Sequence, residues 1–217
     1  MVIVMARKKG DAESGRLGDR IYYIWHGRQC ERAMPKHVAN PQTEAQQLHR
    51  NSFAMISRLS SYMKEAHIVG LHWYAVREKN STYAIFRRLN KDCFTAEGDV
   101  DYARVVVSKG ALPKVDIVSA KVEGGVLTVG FDCFQRGDGA GEEFYIFVYN
   151  AALCAGFLTT PVLCSAGVVT AAVPSEWLED EEGRGTEGGV GKVLHLYAFV
   201  RGVRGRTSDT IYYICFL

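Results

Sequence analysis

The sequence predicts an α+β protein: an N-terminal β-hairpin and one or two helices, followed by an antiparallel β-sandwich of immunoglobulin or fibronectin type III kind. Three observations predict it. Residues 19–34 carry two strand-like runs around a glycine turn, residues 44–90 carry apolar side chains at helical spacing, and the remainder breaks into short β-rich runs separated by Gly and Pro. A chain of 217 residues holds one large domain or two small ones. The division expected is a flexible basic arm over 1–19, a hairpin and helical region over 20–100, and a sandwich over 101–217.

The arm is expected because residues 6–19 are rich in Lys, Arg, Gly, Ser and Asp. In the hairpin, Asp19–Trp25 meets Gln29–Met34 across His26-Gly27-Arg28. Its first strand is apolar on both faces, with Ile21, Tyr23 and Trp25 on one and Tyr22 and Ile24 on the other. A lone two-stranded ribbon is marginal in water, so this one is expected to dock on its own body or on another subunit. Pro35 and Pro41 bracket a stiff linker. Thr43 with Gln46 then spells a capping box. Beyond it Leu48, Met55, Ile56, Leu59, Tyr62 and Met63 form a helical stripe ending near Gly70. A second helix is expected over Thr82–Asn90, capped by Ser81 and burying Tyr83, Phe86 and Leu89.

After residue 100 the expected strands are Tyr102–Ser108, Val115–Val122, Val126–Cys133, Phe144–Asn150, Val168–Val173, Val193–Val200 and Thr210–Phe216. Gly124-Gly125, the Gly137–Gly141 run, Pro161, Pro174 and Gly202 to Gly205 separate them.

Composition, at 47% hydrophobic and 23% charged, is that of an ordinary globular protein. No apolar stretch reaches the roughly 18 residues of a membrane span. The positive charges of Arg7-Lys8-Lys9 follow the apolar start instead of preceding it, the reverse of a secretory signal, so a cytoplasmic protein is expected, free or incorporated into a particle. The closest of the six cysteines, Cys154 and Cys164, are ten residues apart, which leaves no CxxC metal or redox pair. The net charge of +2 hides a polarity: residues 1–94 carry 16 Lys and Arg against 8 Asp and Glu, residues 95–217 carry 10 against 16.

Several short motifs fail on context. Gly183-Arg184-Gly185-Thr186-Glu187-Gly188 fits G-x-G-x-x-G, but an acidic run precedes it and a strand follows, the inverse of a dinucleotide turn. Gly191-Lys192 lacks both the first glycine and the hydroxyl of a phosphate loop, since Thr186 and Val193 stand there. Arg136-Gly137-Asp138 reads as a glycine-rich turn. The histidines share no ligand spacing with carboxylates, and no Ser-His-Asp set is visible locally. No cofactor, no metal and no catalytic residue is therefore expected.

Taken in order, a set of phrases resembles a family of uncharacterised bacterial proteins known only as a domain of unknown function. They are Met5–Gly10, Gly15 to Gly18, Arg32–Pro35, Asn40-Pro41-Gln42-Thr43 with Gln46 and Arg50, Asp101–Val105 with Ser108-Lys109-Gly110, and Ser208-Asp209-Thr210-Ile211-Tyr212. The resemblance implies an architecture, a non-enzymatic role and a phage or mobile-element setting, and carries no catalytic residues across.

The function expected is structural: binding to other proteins or self-assembly, with monomer and homo-oligomer equally open. Ile21, Tyr23 and Trp25 would supply the apolar anchor, Arg28, Arg32 and Arg50 the steering charge, and Gln46 either a helix cap or a contact. Nucleic-acid binding by the basic, aromatic N-terminal half is the alternative, and a hydrolase a further one.

Overall fold

A computed structural model describes residues 7–9, 12–25, 27–36, 42–94, 99–132, 141–178 and 193–217. The chain divides into two compact units, Met1–Glu44 and Ala45–Leu217. The helices thus belong with the sandwich, and the boundary falls near residue 44 where the sequence suggested 100.

The N-terminal unit is an antiparallel meander of β1 (Arg7–Lys9), β2 (Ala12–Leu17), β3 (Arg20–Trp25) and β4 (Arg28–Ala33), in that order. The expected hairpin is β3–β4. Trp25 pairs with Arg28 across a two-residue loop whose Gly27 sits at φ +75°, the region that glycine enters without penalty. Gly18, at φ +61°, does the same between β2 and β3. Residues 7–9 and 12–17, read from the sequence as an arm, are strands. Their composition gives little β propensity, and the open edge of β3 supplies the pairing instead.

In the C-terminal unit, α1 (Glu44–Tyr62) runs into α2 (Lys64–Gly70), α3 (His72–Arg77) and α4 (Thr82–Leu89). Ile56, Leu59 and Met63 of the expected stripe are buried, whereas Tyr62 is exposed. Ser81 caps α4 as its type predicts, accepting from the Ala84 N–H at 3.1 Å. Phe86 is fully buried and Leu89 half-buried, but Tyr83 faces outward, a correction to the expected inner face.

The segment expected as a strand over Tyr102–Ser108 is a 3-10 turn at Tyr102–Arg104 followed by extended chain. The backbone donors of residues 106–108 go to side chains instead of a neighbouring strand. Asn90 Oδ1 takes the Val106 N–H, and Thr210 Oγ1 takes those of Val107 and Ser108, at 2.9 and 2.7 Å. Asn90 also donates through Nδ2 to Phe86 O and Val106 O. Asn90→Ala should therefore lower stability by about 2–4 kcal/mol in urea denaturation, because buried backbone groups lose their partners.

The remaining strands form two sheets. β5 (Asp116–Glu123), β6 (Val126–Asp132) and β10 (Val168–Ala172) make a three-stranded sheet in the order β10-β6-β5. β7 (Glu143–Asn150), β8 (Ala155–Leu158), β11 (Val193–Arg201) and β12 (Ile211–Phe216) make the larger one in the order β12-β11-β7-β8, with the short β9 (Val162–Leu163) also on β7. The expected strand to Cys133 ends at Asp132, with Cys133 outside the described residues; β8 and β9 were not anticipated.

The antiparallel sandwich is present and carries a third layer. One face of the larger sheet, with Phe144, Ile146, Val148, Leu194, Leu196, Ala198 and Val200, packs with Leu127, Val129, Phe131 and Val169 of the smaller sheet. The opposite face is aromatic: Tyr145, Phe147, Tyr149, Tyr197 and Phe199 pack with Leu59, Met63, Leu71, Ile85 and Phe86 of the helices. Period-2 alternation thus divides the side chains of the larger sheet between two cores, with most of its aromatic rings on the helix side.

Candidate functional site

The N-terminal sheet holds five of the seven sequence-predicted interaction residues, and its register decides which stand together. Ile21 pairs with Arg32 and with Arg16, Tyr23 with Cys30, and Trp25 with Arg28. Directly paired residues share a face. One face therefore carries Arg16, Arg28 and Arg32 with Ile21, Tyr23 and Trp25, and no acidic side chain in β2, β3 or β4 lies among them from Ser14 onward. The other carries Leu17, Arg20, Tyr22, Ile24, Gln29 and Glu31, and there Arg20 and Glu31 form an ion pair. None of the described side chains from Ser14 to Lys36 is buried. Trp25 is 63% exposed, Ile24 43% and Tyr23 40%. The expected two-stranded ribbon is part of a four-stranded sheet with apolar side chains on both faces of β3, and on one of those faces the charged side chains described are all cationic.

Gln46 and Arg50, the other two expected residues, lie on α1 in the C-terminal unit beside Ala45, His49 and Phe53, around a shallow surface hollow. A groove of about 420 Å³ continues from there between α1 and α4, lined by His49, Ser52, Phe53, Ile56, Ala84, Arg87, Arg88 and Lys91. Arg87 spreads its guanidinium 3.6 Å from the centre of the Phe53 ring, and its Nε is buried without a hydrogen-bond partner. Arg88 is bridged to Glu78 at 3.2 Å. The lining is thus cationic over an apolar floor. The sequence signal was there in Arg87 and Arg88 on the last turn of α4 and in Lys91 just beyond it, but only the pairing with α1 makes it a surface.

Buried ionisable groups elsewhere are arranged for packing. Ser60 and His67 are both buried and lie 3.1 Å apart through Oγ and Nε2. Nε2 is also 3.0 Å from the Ser60 carbonyl, which accepts only from an N–H. The proton therefore sits on Nε2, leaving no lone pair there to draw a proton from Ser60, and Nδ1 is without a partner. Tyr212 is hydrogen-bonded to His195 at 2.8 Å within a stack that includes Tyr102 and Tyr149. Burial pushes the Cys93 thiol up to about 11, and its Sγ donates to the Asn90 side chain and the Arg104 carbonyl. Cys30, Cys93, Cys154 and Cys215 carry free thiols. Cys154, which is exposed, should react with iodoacetamide well before Cys93 or Cys215, measured by mass spectrometry of timed digests.

Burial lowers both His67 and His195 below the usual 6.5, for His67 against the opposing pull of the Ser60 carbonyl. The unfolded chain then binds protons that the fold refuses. Stability from this source is complete above about pH 6.5 and is lost as pH falls below it. The urea midpoint should drop between pH 7.5 and 5.5, and His67→Gln should flatten part of that slope.

Fold and surface together define an α+β protein in which helices cover the outer face of a two-sheet sandwich, with a separate small sheet of exposed aromatics and arginines. The chain belongs to the family of unknown function DUF6266, which matches residues 12–183. No curated protein and no solved structure matches it. Among the described residues, no helix is long and apolar enough to cross a membrane, and no three His, Cys, Asp or Glu side chains converge as a metal site.

Proposed function

We propose that the protein is a non-enzymatic interaction protein. The C-terminal unit acts as a rigid body, and the small N-terminal sheet is the surface that docks on protein, further copies of this chain included. The observation carrying this reading is the absence of a core among the described side chains of that sheet, where Leu17, Ile24 and Trp25 remain exposed. A sheet of this size gains stability only when one apolar face is covered. The face of Leu17, Tyr22 and Ile24 suits a protein partner, because Arg20 and Glu31 on it already neutralise each other. Repeated head to tail, such a contact builds rings or filaments, in keeping with the particle or mobile-element setting that the family resemblance implies.

Sedimentation velocity at tens of micromolar protein tests the reading. The full chain should sediment as an oligomer at both low and high salt, since the contact is apolar, and Ile24→Asp should return it to monomer. A strict monomer at high micromolar concentration in both salts would overturn it.

A further inference from the structure

The opposite face of the same sheet has a different chemistry. Arg16, Arg28 and Arg32 are placed by the register beside Ile21, Tyr23 and Trp25. Among the described residues, neither Arg28 nor Arg32 has a carboxylate within ion-pair distance, whereas the arginine on the other face, Arg20, is paired with Glu31. Among the described side chains, Glu31 thus sits with Arg20 on one face, and Arg16, Arg28 and Arg32 share the other with Ile21, Tyr23, Trp25 and Cys30. The strands on either side are held by two tight glycine turns, so the spacing of these groups is fixed by a hydrogen-bonded ladder.

We infer that this face binds single-stranded nucleic acid. Adjacent positions along a strand face lie about 6–7 Å apart, which matches the step between neighbouring bases of an extended strand. Trp25 and Tyr23 offer the π surface on which bases stack, and the flanking arginines meet the phosphates. The two ingredients occur together: cations alone would suit any polyanion, and aromatic rings alone would suit the apolar contact assigned to the other face. A duplex, whose bases are stacked inward, cannot use the rings, and an acidic protein would not need them spaced along one strand. The inference concerns a different face and a different chemistry from the assembly reading, so either can fail without the other.

Fluorescence anisotropy of a labelled oligothymidylate with the full-length chain provides the test, with a duplex of equal length as comparator. Binding should appear on the order of micromolar at low salt and weaken with added salt at a log–log slope of about −2, the value for three phosphate contacts on a single strand. Tryptophan emission should be quenched on binding. Trp25→Ala should weaken binding at least about fivefold, and Trp25→Phe, which keeps a ring, should restore most of it. Arg28→Gln with Arg32→Gln should flatten the salt slope, whereas Arg20→Gln on the opposite face should leave both affinity and slope unchanged. Circular dichroism of each variant confirms that the sheet is retained, and the salt slope of the Arg28→Gln, Arg32→Gln protein carries the test if Trp25→Ala does not fold. No binding at low salt overturns the inference. Equal affinity for duplex and single strand, insensitive to the ring at position 25, also overturns it and leaves a general cationic surface. Self-association abolished by the Arg28 and Arg32 changes, with no oligonucleotide bound, assigns the face to protein instead.

Discussion

Replacing Gly110 by alanine should prevent the protein from folding. The new Cβ would lie 1.8 Å from the Thr207 carbonyl oxygen and 2.5 Å from its carbon, distances that no rotamer relieves because the clashing atoms are backbone on both sides. Nor can either strand step back. Leu112 N–H donates to Thr207 O at 3.0 Å, Thr207 Oγ1 donates to Lys109 O at 3.0 Å, and Gly110 N–H reaches Asp209 Oδ1. Parting the two segments breaks several of these bonds at once, for a cost above about 4 kcal/mol, a large share of the total stability of a domain. Gly205 is the control. It sits at φ +72° with nothing within 4 Å of its would-be Cβ, so Gly205→Ala costs only about 1 kcal/mol, from backbone torsion alone. Soluble yield and the urea midpoint separate the two. A Gly110→Ala protein with an unchanged midpoint would show that the close approach is not real.

Thr210→Val should cost about 2–4 kcal/mol although it changes almost no volume. The Thr210 hydroxyl accepts from the Val107 and Ser108 N–H groups and donates to the Ser108 carbonyl at 2.9 Å. Valine fills the same space and leaves two N–H groups on fully buried residues without an acceptor. Thr210→Ser keeps the oxygen and should recover most of the loss. Urea denaturation of the pair, with equal m-values, checks it. Equal stability of Val and wild type would mean that the 105–108 segment finds other partners.

These two positions also explain why certain phrases stood out in the sequence. Ser108-Lys109-Gly110 and Ser208-Asp209-Thr210 are about a hundred residues apart, yet they interlock: the Ser108 hydroxyl bonds to Ser208 O at 2.6 Å and to Gly70 O at 3.1 Å. The Ser208 hydroxyl takes the Val200 N–H. Side-chain clasps of this kind leave no periodic trace, so the chain near Val105 read as a strand from its apolar run. The helical layer was legible as helices from their spacing, and the core strands from their β-rich runs. That the two belong together was signalled more quietly. Glu143–Asn150 and Val193–Arg201 are apolar almost without interruption, a pattern that requires cover on both faces and not on one. At the N-terminus the expected anchors were found on exposed strands, but the sorting of charge between faces needed the register. Sequence alternation places residues on one side of their own strand; only the pairing of Arg16 with Ile21 and of Ile21 with Arg32 shows which cations join which rings.

The position of β11 bears on how the molecule closes. This strand is hydrogen-bonded between β7 and β12, and its alternating side chains enter both apolar cores. Until it pairs, one flank of β7 is uncovered and neither core is complete, a species prone to aggregate.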